Sequence, residues 1–461
     1  MEESLVKVLS NIVGEENVKT DITDRYCYSM DASIYREIPD VVVFPQTTDQ
    51  ISEIMKFANV NETPVTPRGA GTGLCGGAVP IEGGIVIDLT KMNKIMEIDL
   101  GNFCVKVEPG VVQNQLNQVL EGHGFFFPPT PGSKKMCTIG GMISTNAGGM
   151  TAIKYGVTRN FVLGLQVVLA SGEVLNLGGK TLKRSLGLDL IQLFVGTEGT
   201  LGIITEALLR IMPLPEETAV IVAPFENIND AAKTVNSILS RTIPTAIEIM
   251  DSGSIKAVNA YLPELNLPEV DAILYFEVGG TQEEVRKQTE LIVETCKNHK
   301  SRNIQWTSDP SKRQILWQGR EAAGGAIMTL DKKLVRVFEA EDVCVPISQI
   351  PEMVKHFQEI SKKYGILVCL YGHAGDGNIH SGILIDVKNQ EEWQKLKNLT
   401  REVYETAMSL GGNISAEHGI GILRADWMEK IQGAGLDYIK KIKRIFDPKG
   451  ILNPGKLGLQ K

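Results

Sequence analysis

Apolar positions along the chain fall into short runs separated by stretches with helical spacing. Leu5, Val8, Leu9 and Ile12 recur every three to four positions, so they predict one helix within a lead-in of residues 1–37. From Pro39 onward, short strands alternate with helices, an order typical of α/β subdomains. The predicted strands are 41–44, 64–67, 84–89, 103–107, 162–169 and 173–177, the helices are 47–60 and 112–123, and residues 125–150 are predicted as a glycine-rich loop.

Pro213-Leu214-Pro215 interrupts this pattern and predicts a domain boundary. Beyond it, strands at 218–224, 246–250 and 272–277 with helices at 228–239, 282–298, 350–364 and 391–410 predict an α+β sheet layer that caps the first domain. The predicted domains are 1–37, 38–215, 216–420 and 421–461, and the turn-rich last segment is expected to pack back on the first domain.

Bulk properties narrow the class of protein. A length of 461 residues exceeds one ordinary core, and 43% hydrophobic with 22% charged residues is typical of a soluble enzyme. The net charge of −8 is spread along the chain, which argues against nucleic acid and anionic membranes as partners. No apolar run reaches a membrane span, and the start of the chain is charged and unlike a signal peptide. The seven cysteines form no C-x-x-C motif, which favours a cytoplasmic protein without disulfides, iron–sulfur clusters or structural zinc.

Three of the six histidines lie in two short motifs, Gly372-His373-Ala-Gly-Asp-Gly-Asn378-Ile-His380 and Glu417-His418-Gly. Apolar runs on both sides of the first motif predict a hairpin, called here the histidine hairpin (residues 365–387). Asp376-Gly377 is a two-residue turn signal, and such a turn places His373 directly opposite His380. Directly paired side chains have Cβ atoms about 5 Å apart.

Two imidazoles on one face can share a metal ion. Glu417 can supply a carboxylate as third ligand and leave open positions for a substrate, as catalytic metal sites require. The alternative interpretation is a polar hairpin beside a helix, without a metal. The turn geometry and the Glu-His pair between small residues favour the metal site.

Three glycine-rich segments lie in the first domain: the first glycine loop (residues 67–77), the second (138–149) and the third (196–203). Gly71-Thr-Gly73-Leu-Cys-Gly76 matches the spacing of a dinucleotide fingerprint, but Pro80 follows where the fingerprint requires a helix. A nicotinamide-binding Rossmann unit is therefore disfavoured. Consecutive backbone N–H groups still suit a diphosphate, so the three loops predict a long phosphate-bearing cofactor.

These loops, with Lys154-Tyr155-Gly156 and Leu452-Asn453-Pro-Gly-Lys456, resemble the vanillyl-alcohol-oxidase/p-cresol-methylhydroxylase (PCMH) flavoprotein superfamily. The His-x-Gly-Asp-Gly-Asn-x-His and Glu-His-Gly-x-Gly motifs resemble its branch of D-lactate dehydrogenases, D-2-hydroxyglutarate dehydrogenases and FAD-linked glycolate oxidase subunits, over residues 38–460. The resemblance implies an α+β fold: a PCMH-type FAD-binding domain of two α/β subdomains, an α+β cap domain and a C-terminal segment that returns to the FAD domain. Members with histidyl-linked FAD carry the histidine near Thr72, so non-covalent FAD is expected.

The resemblance also implies roles for individual residues. His373, His380 and Glu417 would hold a divalent metal (zinc, iron or manganese) that binds the substrate, and His418 would be the catalytic base. For His418, a hydrogen-bonded histidine at a helix start is the alternative. The expected FAD-binding residues are Arg68, Gly69, Ala70, Gly71, Thr72, Gly73, Gly76, Gly77, Pro131, Gly132, Thr138, Gly141, Ser144, Asn146, Ala147, Gly148, Tyr155, Glu198, Gly199, Ile203 and Asn453.

The same resemblance implies two substrate-binding residues besides the metal ligands. Arg320 would grip the substrate carboxylate and Asn378 would hydrogen-bond the substrate; the alternative for Arg320 is a helix-surface arginine paired with Glu321 or another neighbour. The hydroxyglutarate-type relatives carry a lysine shortly before a Val-x-Val-Pro-like strand, where residues 338–346 offer acids and an alanine. This departure favours a small monocarboxylate.

The implied reaction is FAD-dependent oxidation of a small (R)-2-hydroxy acid, D-lactate or glycolate, with D-2-hydroxyglutarate as the alternative. No second redox motif is present, so electrons are expected to leave to a separate acceptor such as an electron-transferring flavoprotein or an iron–sulfur subunit, within a homo- or hetero-oligomer. Two other readings stay open: a flavin-binding scaffold subunit, and a metal-independent alcohol or phenol oxidase of the same superfamily.

Overall fold

The computed structural model describes residues 2–459 and divides them into two compact units. The first unit contains the described residues up to Ala147, Val157–Leu214 and the residues from Glu417 onward; the second contains Gly148–Gly156 and Pro215–Ala416. The division after Leu214 coincides with the predicted boundary at 213–215. The structure differs in assigning Gly148–Gly156 to the second unit and in starting the C-terminal segment at Glu417, ahead of position 421.

The first unit contains a four-stranded sheet in the order Val18–Lys19, Val41–Val43, Ile85–Asp88, Val65–Arg68. The last three strands run parallel, and the two central ones are buried along their whole length. Continuous Val and Ile runs are what a parallel strand covered on both faces requires. The connecting helix Thr48–Asn61 begins at Thr47, whose Oγ1 accepts a hydrogen bond from the N–H of Gln50 at 3.3 Å.

A second, antiparallel sheet of the first unit has five strands in the order Ile95–Asp99, Cys104–Val107, Ile203–Arg210, Val162–Val168, Val174–Gly178. A short two-stranded sheet pairs Phe125–Phe126 with Met212–Pro213. The α-helices of the first unit are Glu2–Val13, Ile22–Cys27, Thr48–Asn61, Gln113–Glu121, Ile139–Thr145, Leu190–Phe194, Met428–Gln432 and Gly435–Phe446, and its 3₁₀ turns are Glu15–Asn17, Thr158–Phe161 and Ala425–Trp427.

The prediction of a continuous loop over residues 125–150 is wrong. The helix Ile139–Thr145 forms there, begun by Thr138, whose Oγ1 accepts from the N–H of Gly141 at 3.4 Å, and ended by Asn146 in the left-handed region. Glycine has low helix propensity, so Gly140 and Gly141 hide the helix from a pattern-based prediction. Local capping and burial of Ile139 and Ile143 outweigh that propensity.

The C-terminal segment returns to the four-stranded sheet, as expected. The N–H of Val65 donates to the carbonyl of Ile451 at 2.8 Å, and the N–H of Asn453 donates to the carbonyl of Val65 at 2.7 Å. Leu452 thereby forms a parallel bridge with Val65, at the edge strand of the sheet. Buried Lys443 donates to the carbonyls of Thr200 and Leu452, both at 2.7 Å, and fixes this return.

The second unit is built on one antiparallel sheet of eight strands. Seven follow the order Gln305–Thr307, Glu217–Phe225, Ala272–Gly280, Ala246–Asp251, Leu367–His373, Asn378–Ile385, Val335–Val337, and Asp342–Cys344 also pairs with Asn378–Ile385. The α-helices of this unit are Ala152–Tyr155, Ile228–Leu239, Ser252–Tyr261, Gln282–Asn298, Pro310–Ile327, Ile350–Tyr364 and Gln390–Ser409, and its 3₁₀ turns are Pro263–Leu265 and Ile347–Gln349.

Candidate active site

The histidine hairpin is formed by the strands Leu367–His373 and Asn378–Ile385, and its register differs from the predicted one. His373 pairs with Asn378, and Tyr371 pairs with His380. The prediction that His373 lies directly opposite His380 is therefore wrong, because residues 374–377 all belong to the loop. A type I′ turn needs positive φ at both central residues; Gly377 has φ of 89°, whereas Asp376 is not among the residues with positive φ.

The two histidines nevertheless face each other. A register shift of two residues leaves every side chain on its original face, since the side-chain period of a strand is two. His373 and His380 are consequently diagonal neighbours, with Nε2 atoms 3.3 Å apart and ring planes perpendicular at 90°. Both side chains are buried. Two neutral imidazoles whose ring nitrogens meet at this distance need a proton or a cation between them.

Glu248 holds His373 from the neighbouring strand. The register places Glu248 opposite His373, and its carboxylate oxygens lie 2.7 and 2.9 Å from Nδ1 of the imidazole. A carboxylate that is ionised only accepts hydrogen bonds, so this contact suits the tautomer of His373 that has its proton on Nδ1 and its lone pair on Nε2. This carboxylate–histidine arrangement is the one that orients metal-binding imidazoles.

Glu248 also binds Arg320, which extends from the helix Pro310–Ile327. An Nη2–Oε2 ion pair joins the two side chains, and the guanidinium lies 4.9 Å from the centre of the Tyr371 ring. Arg320 is only 6% exposed, so it is not a helix-surface arginine, and the ion pair shown is with Glu248. Its Nε atom is buried and, among the described residues, has no hydrogen-bond partner.

A matching set surrounds His380. Its Nδ1 lies 3.5 Å from Oε1 of Glu341, and that oxygen accepts a hydrogen bond from Nη2 of Arg336 at 3.0 Å. Arg336 donates in addition to the hydroxyl of Tyr371 at 2.8 Å. Each histidine of the pair therefore faces a carboxylate that is itself held by a buried arginine.

Asp342 lies beside His380 and binds both Asn378 and the backbone of Ala416. It pairs in register with His380 and accepts from Nδ2 of Asn378 at 3.1 Å. The second N–H bond of the Asn378 amide goes to the carbonyl of Val343 at 3.1 Å, so only Oδ1 of this predicted substrate-binding residue is left for another partner. Asp342 also accepts from the backbone N–H of Ala416, at 2.9 Å through Oδ2, which ties the end of the second unit to the histidine hairpin.

Charge and donor chemistry in this cluster fit a cation. Arg320 and Arg336 contribute two positive charges, whereas buried Glu248, Glu341 and Asp342 contribute three negative ones when ionised. A buried excess of negative charge next to two inward-facing imidazole nitrogens is costly without a counter-ion. Imidazole and carboxylate ligands suit zinc, iron and manganese.

Glu417 and His418 lie in the first unit, at the start of its C-terminal segment, with Nε2 of His418 3.4 Å from Oε1 of Glu417. The second unit thus carries two of the three predicted metal ligands, and the first unit carries the third and the predicted base. Glu417 directly follows Ala416, whose N–H binds Asp342.

The structure brings the three glycine loops of the first unit together. A Cβ added to Gly69 would overlap Oγ1 of Thr138 in the second loop, and one added to Gly199 of the third loop would overlap the ring of Pro67 in the first. Glycine is needed at these two contacts because the loops approach each other backbone to side chain. The loops predicted to bind one cofactor are therefore neighbours.

The first glycine loop presents free donors. Among residues 2–459, the backbone N–H groups of Ala70, Gly71, Thr72 and Gly73 donate no hydrogen bond to the protein, and all four residues are at least partly exposed. A run of N–H groups of this kind fits an anionic phosphate group.

Several predicted cofactor residues also make contacts within the protein. Arg68 donates to the carbonyl of Met30 at 2.7 Å, and Asn453 donates through Nδ2 to the carbonyls of Gly77 at 2.9 Å and Glu198 at 2.7 Å. Gly148 and Tyr155 belong to the second unit. All the predicted FAD-binding residues, Gly132 among them, stay predictions.

Sequence reasoning missed Glu248, Arg336 and Tyr371, and it used Glu341 and Asp342 only to argue about substrate size. A signal for Glu248 was present: it is the one charged residue inside the apolar run Ala246–Met250, and burying a charge there requires a partner. The identity of that partner depends on strand pairing, which the sequence does not reveal.

Comparison with known proteins agrees with this geometry. Residues 39–178 match the FAD binding domain family, and residues 214–457 match the family described as FAD linked oxidases, C-terminal domain. The glycolate oxidase subunit GlcD of Bacillus subtilis is 40% identical over 453 residues, covering 97% of this chain and 95% of the relative. The D-lactate dehydrogenase of Archaeoglobus fulgidus is 38% identical over 427 residues, with 90% and 91% covered, and that of Anaerostipes hadrus is 35% identical over 460 residues, with 97% and 94% covered.

Solved structures match the fold at low sequence identity. The 4-ethylphenol oxidase from Gulosibacter chungangensis has a TM-score of 0.82 at 20% identity, with 99% of this chain and 97% of that chain covered. The p-cresol methylhydroxylase structure has a TM-score of 0.80 at 19% identity, with 99% and 97% covered.

The fold and its glycine loops thus define an α+β flavoprotein with a PCMH-type FAD-binding domain, an α+β cap domain and a C-terminal segment that returns to the FAD domain, as expected. The chain belongs to the FAD-linked oxidase family, among relatives named D-lactate dehydrogenase and glycolate oxidase subunit, and it is an FAD-linked oxidoreductase. Within residues 2–459, none of the helices combines the length and the apolar character needed to cross a membrane.

Proposed function

We propose that this protein oxidises a small (R)-2-hydroxy acid, D-lactate or glycolate, to the 2-oxo acid. The observation that carries the proposal is the pair of buried imidazoles with Nε2 atoms 3.3 Å apart, each facing a carboxylate on its other side. The names of the relatives support a hydroxy acid as substrate. D-2-hydroxyglutarate is the alternative substrate, and a metal-independent alcohol oxidation is the alternative chemistry.

His373, His380 and Glu417 are the proposed ligands of a divalent metal. Glu248 supports His373 as a ligand by keeping its Nε2 unprotonated. Glu417 is proposed as the third ligand because the chain reaches it one residue after Ala416, whose N–H is bound to Asp342 beside His380. Zinc, iron or manganese, when bound, supplies a Lewis acid that lowers the pKa of a substrate hydroxyl.

The glycine loops are the proposed FAD site, with the free N–H groups of residues 70–73 facing the diphosphate. Thr72 stands where a covalently attaching histidine would be needed, so the FAD is proposed to be held non-covalently. FAD, when bound, supplies the acceptor for the hydride of the substrate α-carbon.

Substrate recognition is assigned to the buried guanidinium of Arg320. Its Nε and the hydroxyl of Tyr275, which lies in register with Glu248, are both buried and, among the described residues, without hydrogen-bond partners. Buried donors of this kind are satisfied by a carboxylate. Arg336 is already bound to Glu341 and Tyr371, which argues against a second carboxylate and favours a monocarboxylate substrate.

His418 is the proposed base that takes the hydroxyl proton. Its neighbour Glu417, 3.4 Å from Nε2, stabilises the imidazolium that would form. Electrons are proposed to pass to a separate partner, an electron-transferring flavoprotein or an iron–sulfur subunit, within an oligomer in the cytoplasm. The chain itself has no C-x-x-C motif that would carry them further.

The test is turnover by the purified protein with D-lactate, L-lactate, glycolate and D-2-hydroxyglutarate, using an artificial dye as acceptor, with and without a chelator. We expect dye reduction with D-lactate or glycolate and its loss after chelation. Full activity after the metal has been removed would favour the alcohol oxidase reading, and direct reduction of NAD without a partner would contradict the separate acceptor.

A single substitution tests whether His373 is a metal ligand. His373→Ala should lose the metal and most turnover while it retains FAD. His356→Ala serves as the control, because His356 lies in the middle of the helix Ile350–Tyr364 and bonds the hydroxyl of Thr406 on the helix Gln390–Ser409. Unchanged metal content in His373→Ala would disprove the ligand assignment.

A further inference from the structure

Glu198 makes contacts that a cofactor-binding role does not explain. Its side chain is buried, and its two oxygens accept separate hydrogen bonds from consecutive backbone N–H groups, Oε1 from Ile420 at 2.7 Å and Oε2 from Gly421 at 2.9 Å. Its own backbone is in the left-handed region at φ 49°, a conformation that costs free energy for a non-glycine residue. The third glycine loop thus directs this carboxylate onto the segment that follows His418.

The first glycine loop holds the same segment from another side. The carbonyl of Cys75 accepts from the N–H groups of Ile422 at 2.7 Å and Leu423 at 3.2 Å. Buried Arg424 donates to the carbonyl of Gly419 at 3.0 Å and contacts the sulfur of Cys75. Four successive backbone N–H groups, those of residues 420–423, are therefore bonded to the third or the first glycine loop.

The carboxylate of Glu198 lies directly beside Gly419. A Cβ on Gly419, which has φ of 87°, would lie 2.7 Å from Oε1 of Glu198. The carboxylate packs against the backbone that starts directly after His418.

We propose that Glu198 is a positioning residue, which holds Glu417 and His418 in place by binding the backbone of Ile420 and Gly421. This inference rests on the proposed function, in which Glu417 is a metal ligand and His418 the base. It also reassigns Glu198 from the cofactor-binding set to the alignment of the metal-binding segment with the glycine loops.

The carboxylate is required because it offers two acceptors. A glutamine at position 198 keeps one carbonyl oxygen and turns an NH₂ group toward the other backbone N–H, so one of the two bonds is lost and a donor is left facing a donor. Loss of an outer residue that orients a metal ligand typically weakens metal binding about 10–100-fold.

The experiment compares Glu198→Gln with Asp447→Asn. Asp447 is the matched control, because it is a buried carboxylate of the same C-terminal segment that accepts from two backbone N–H groups, Ile451 at 3.0 Å and Leu452 at 2.8 Å. Metal per chain is measured by mass spectrometry after dialysis against graded chelator, FAD per chain by absorbance, and unfolding by calorimetry.

We expect Glu198→Gln to bind the metal at least about tenfold more weakly than the parent protein while it retains FAD. Asp447→Asn, which also breaks the buried ion pair with Lys443, should keep the parent's metal affinity despite a larger loss of stability. Loss of FAD with unchanged metal affinity would overturn the inference and restore a cofactor role. Equal metal affinity in both variants would overturn it as well.

A second pair of variants covers the case in which Glu198→Gln does not fold. Gly419→Ala pushes against the same carboxylate, whereas Gly433→Ala places its Cβ in open space, also at a positive φ, of 49°. Metal loss confined to Gly419→Ala supports the inference, and equal behaviour of the two variants opposes it. A parent protein that binds no metal would contradict the proposed function itself, whereas a metal-binding parent with metal-binding variants would contradict only the role of Glu198.

Discussion

Replacing Glu248 by glutamine tests the role of the buried carboxylate that binds both Arg320 and His373. The carboxylate has no solvent exposure and serves two partners, Arg320 through Oε2 and Nδ1 of His373 at 2.7 Å through Oε1. Glutamine has one acceptor oxygen, so it can satisfy only one of them. If its NH₂ group faces His373, Nδ1 must accept, and the ring proton moves to Nε2, the atom that faces His380.

The expected loss of stability follows from the burial of the ion pair between Glu248 and Arg320. In the other orientation of the glutamine, the guanidinium of Arg320 loses its ion-pair partner at 6% exposure, and breaking a buried pair costs about 3–5 kcal/mol. For a unit of the size of Pro215–Ala416, each kcal/mol shifts the melting temperature by about 2–4 °C, so we expect a decrease of about 6–20 °C. Metal affinity should fall about 10–100-fold, as for other residues that orient metal-binding histidines.

The assay combines calorimetry with metal analysis in buffered chelator. Asp251→Asn is the control, since Asp251 lies on the same strand, is buried, and accepts from the N–H of Ser254 at 2.8 Å, a capping role that asparagine also fills. A Glu248→Gln protein with the parent's metal affinity and a melting temperature like that of the control would refute the reasoning. In that case Glu248 would not set the tautomer of His373.

Three further predictions use other parts of the structure. Arg320→Lys keeps the charge but loses the fork of donors, so we expect KM for the hydroxy acid to rise about tenfold or more with FAD content unchanged; an unaltered KM would remove Arg320 from substrate binding. Burial raises the pKa of Asp251 to about 6, so the folded state binds the proton of this carboxyl more tightly than the unfolded state does. The unfolding free energy of the parent relative to Asp251→Asn should therefore fall by about 1–2 kcal/mol from pH 5 to pH 7 and then level off. A difference in unfolding free energy that does not change with pH would contradict this prediction. Gly377→Ala should destabilise the protein by clearly more than the ~1 kcal/mol expected for Gly365→Ala. Both glycines have positive φ, but only at Gly377 would the new Cβ overlap a neighbour, the carbonyl of Val345. Equal melting temperatures of the two variants would show that the loop shifts to accommodate the methyl group.

Local signals made the helices predictable. Ile228–Leu239, Gln282–Asn298 and Ile350–Tyr364 have the predicted bounds, because each is delimited by a residue that acts locally. Thr281 and Glu284 form a capping box, and Gly365 ends its helix in the left-handed region at φ 64°. Information of this kind lies within four residues along the chain, so a single sequence carries it.

Contacts between distant strands were not predictable in the same way. The face shared by His373 and His380 was predicted despite the wrong register, because the register is shifted by two residues and only an odd shift moves a side chain to the other face. The choice of Glu248 as the partner of His373 depends on which strands are neighbours in the sheet, and 125 residues separate the two. A pattern can indicate that a buried glutamate needs a partner, but only the fold identifies that partner.

The return of the C-terminal segment has a consequence for synthesis on the ribosome. Val65–Arg68 is an edge strand until Leu452 bridges Val65, and Lys456 reaches the carbonyl of Val79 across 377 residues of chain. During translation this edge stays open while the whole of Pro215–Ala416 emerges and can fold as a unit. An uncovered strand edge invites pairing with other chains, so nascent or prematurely terminated chains that lack residues 447–456 are expected to be aggregation-prone and dependent on chaperones.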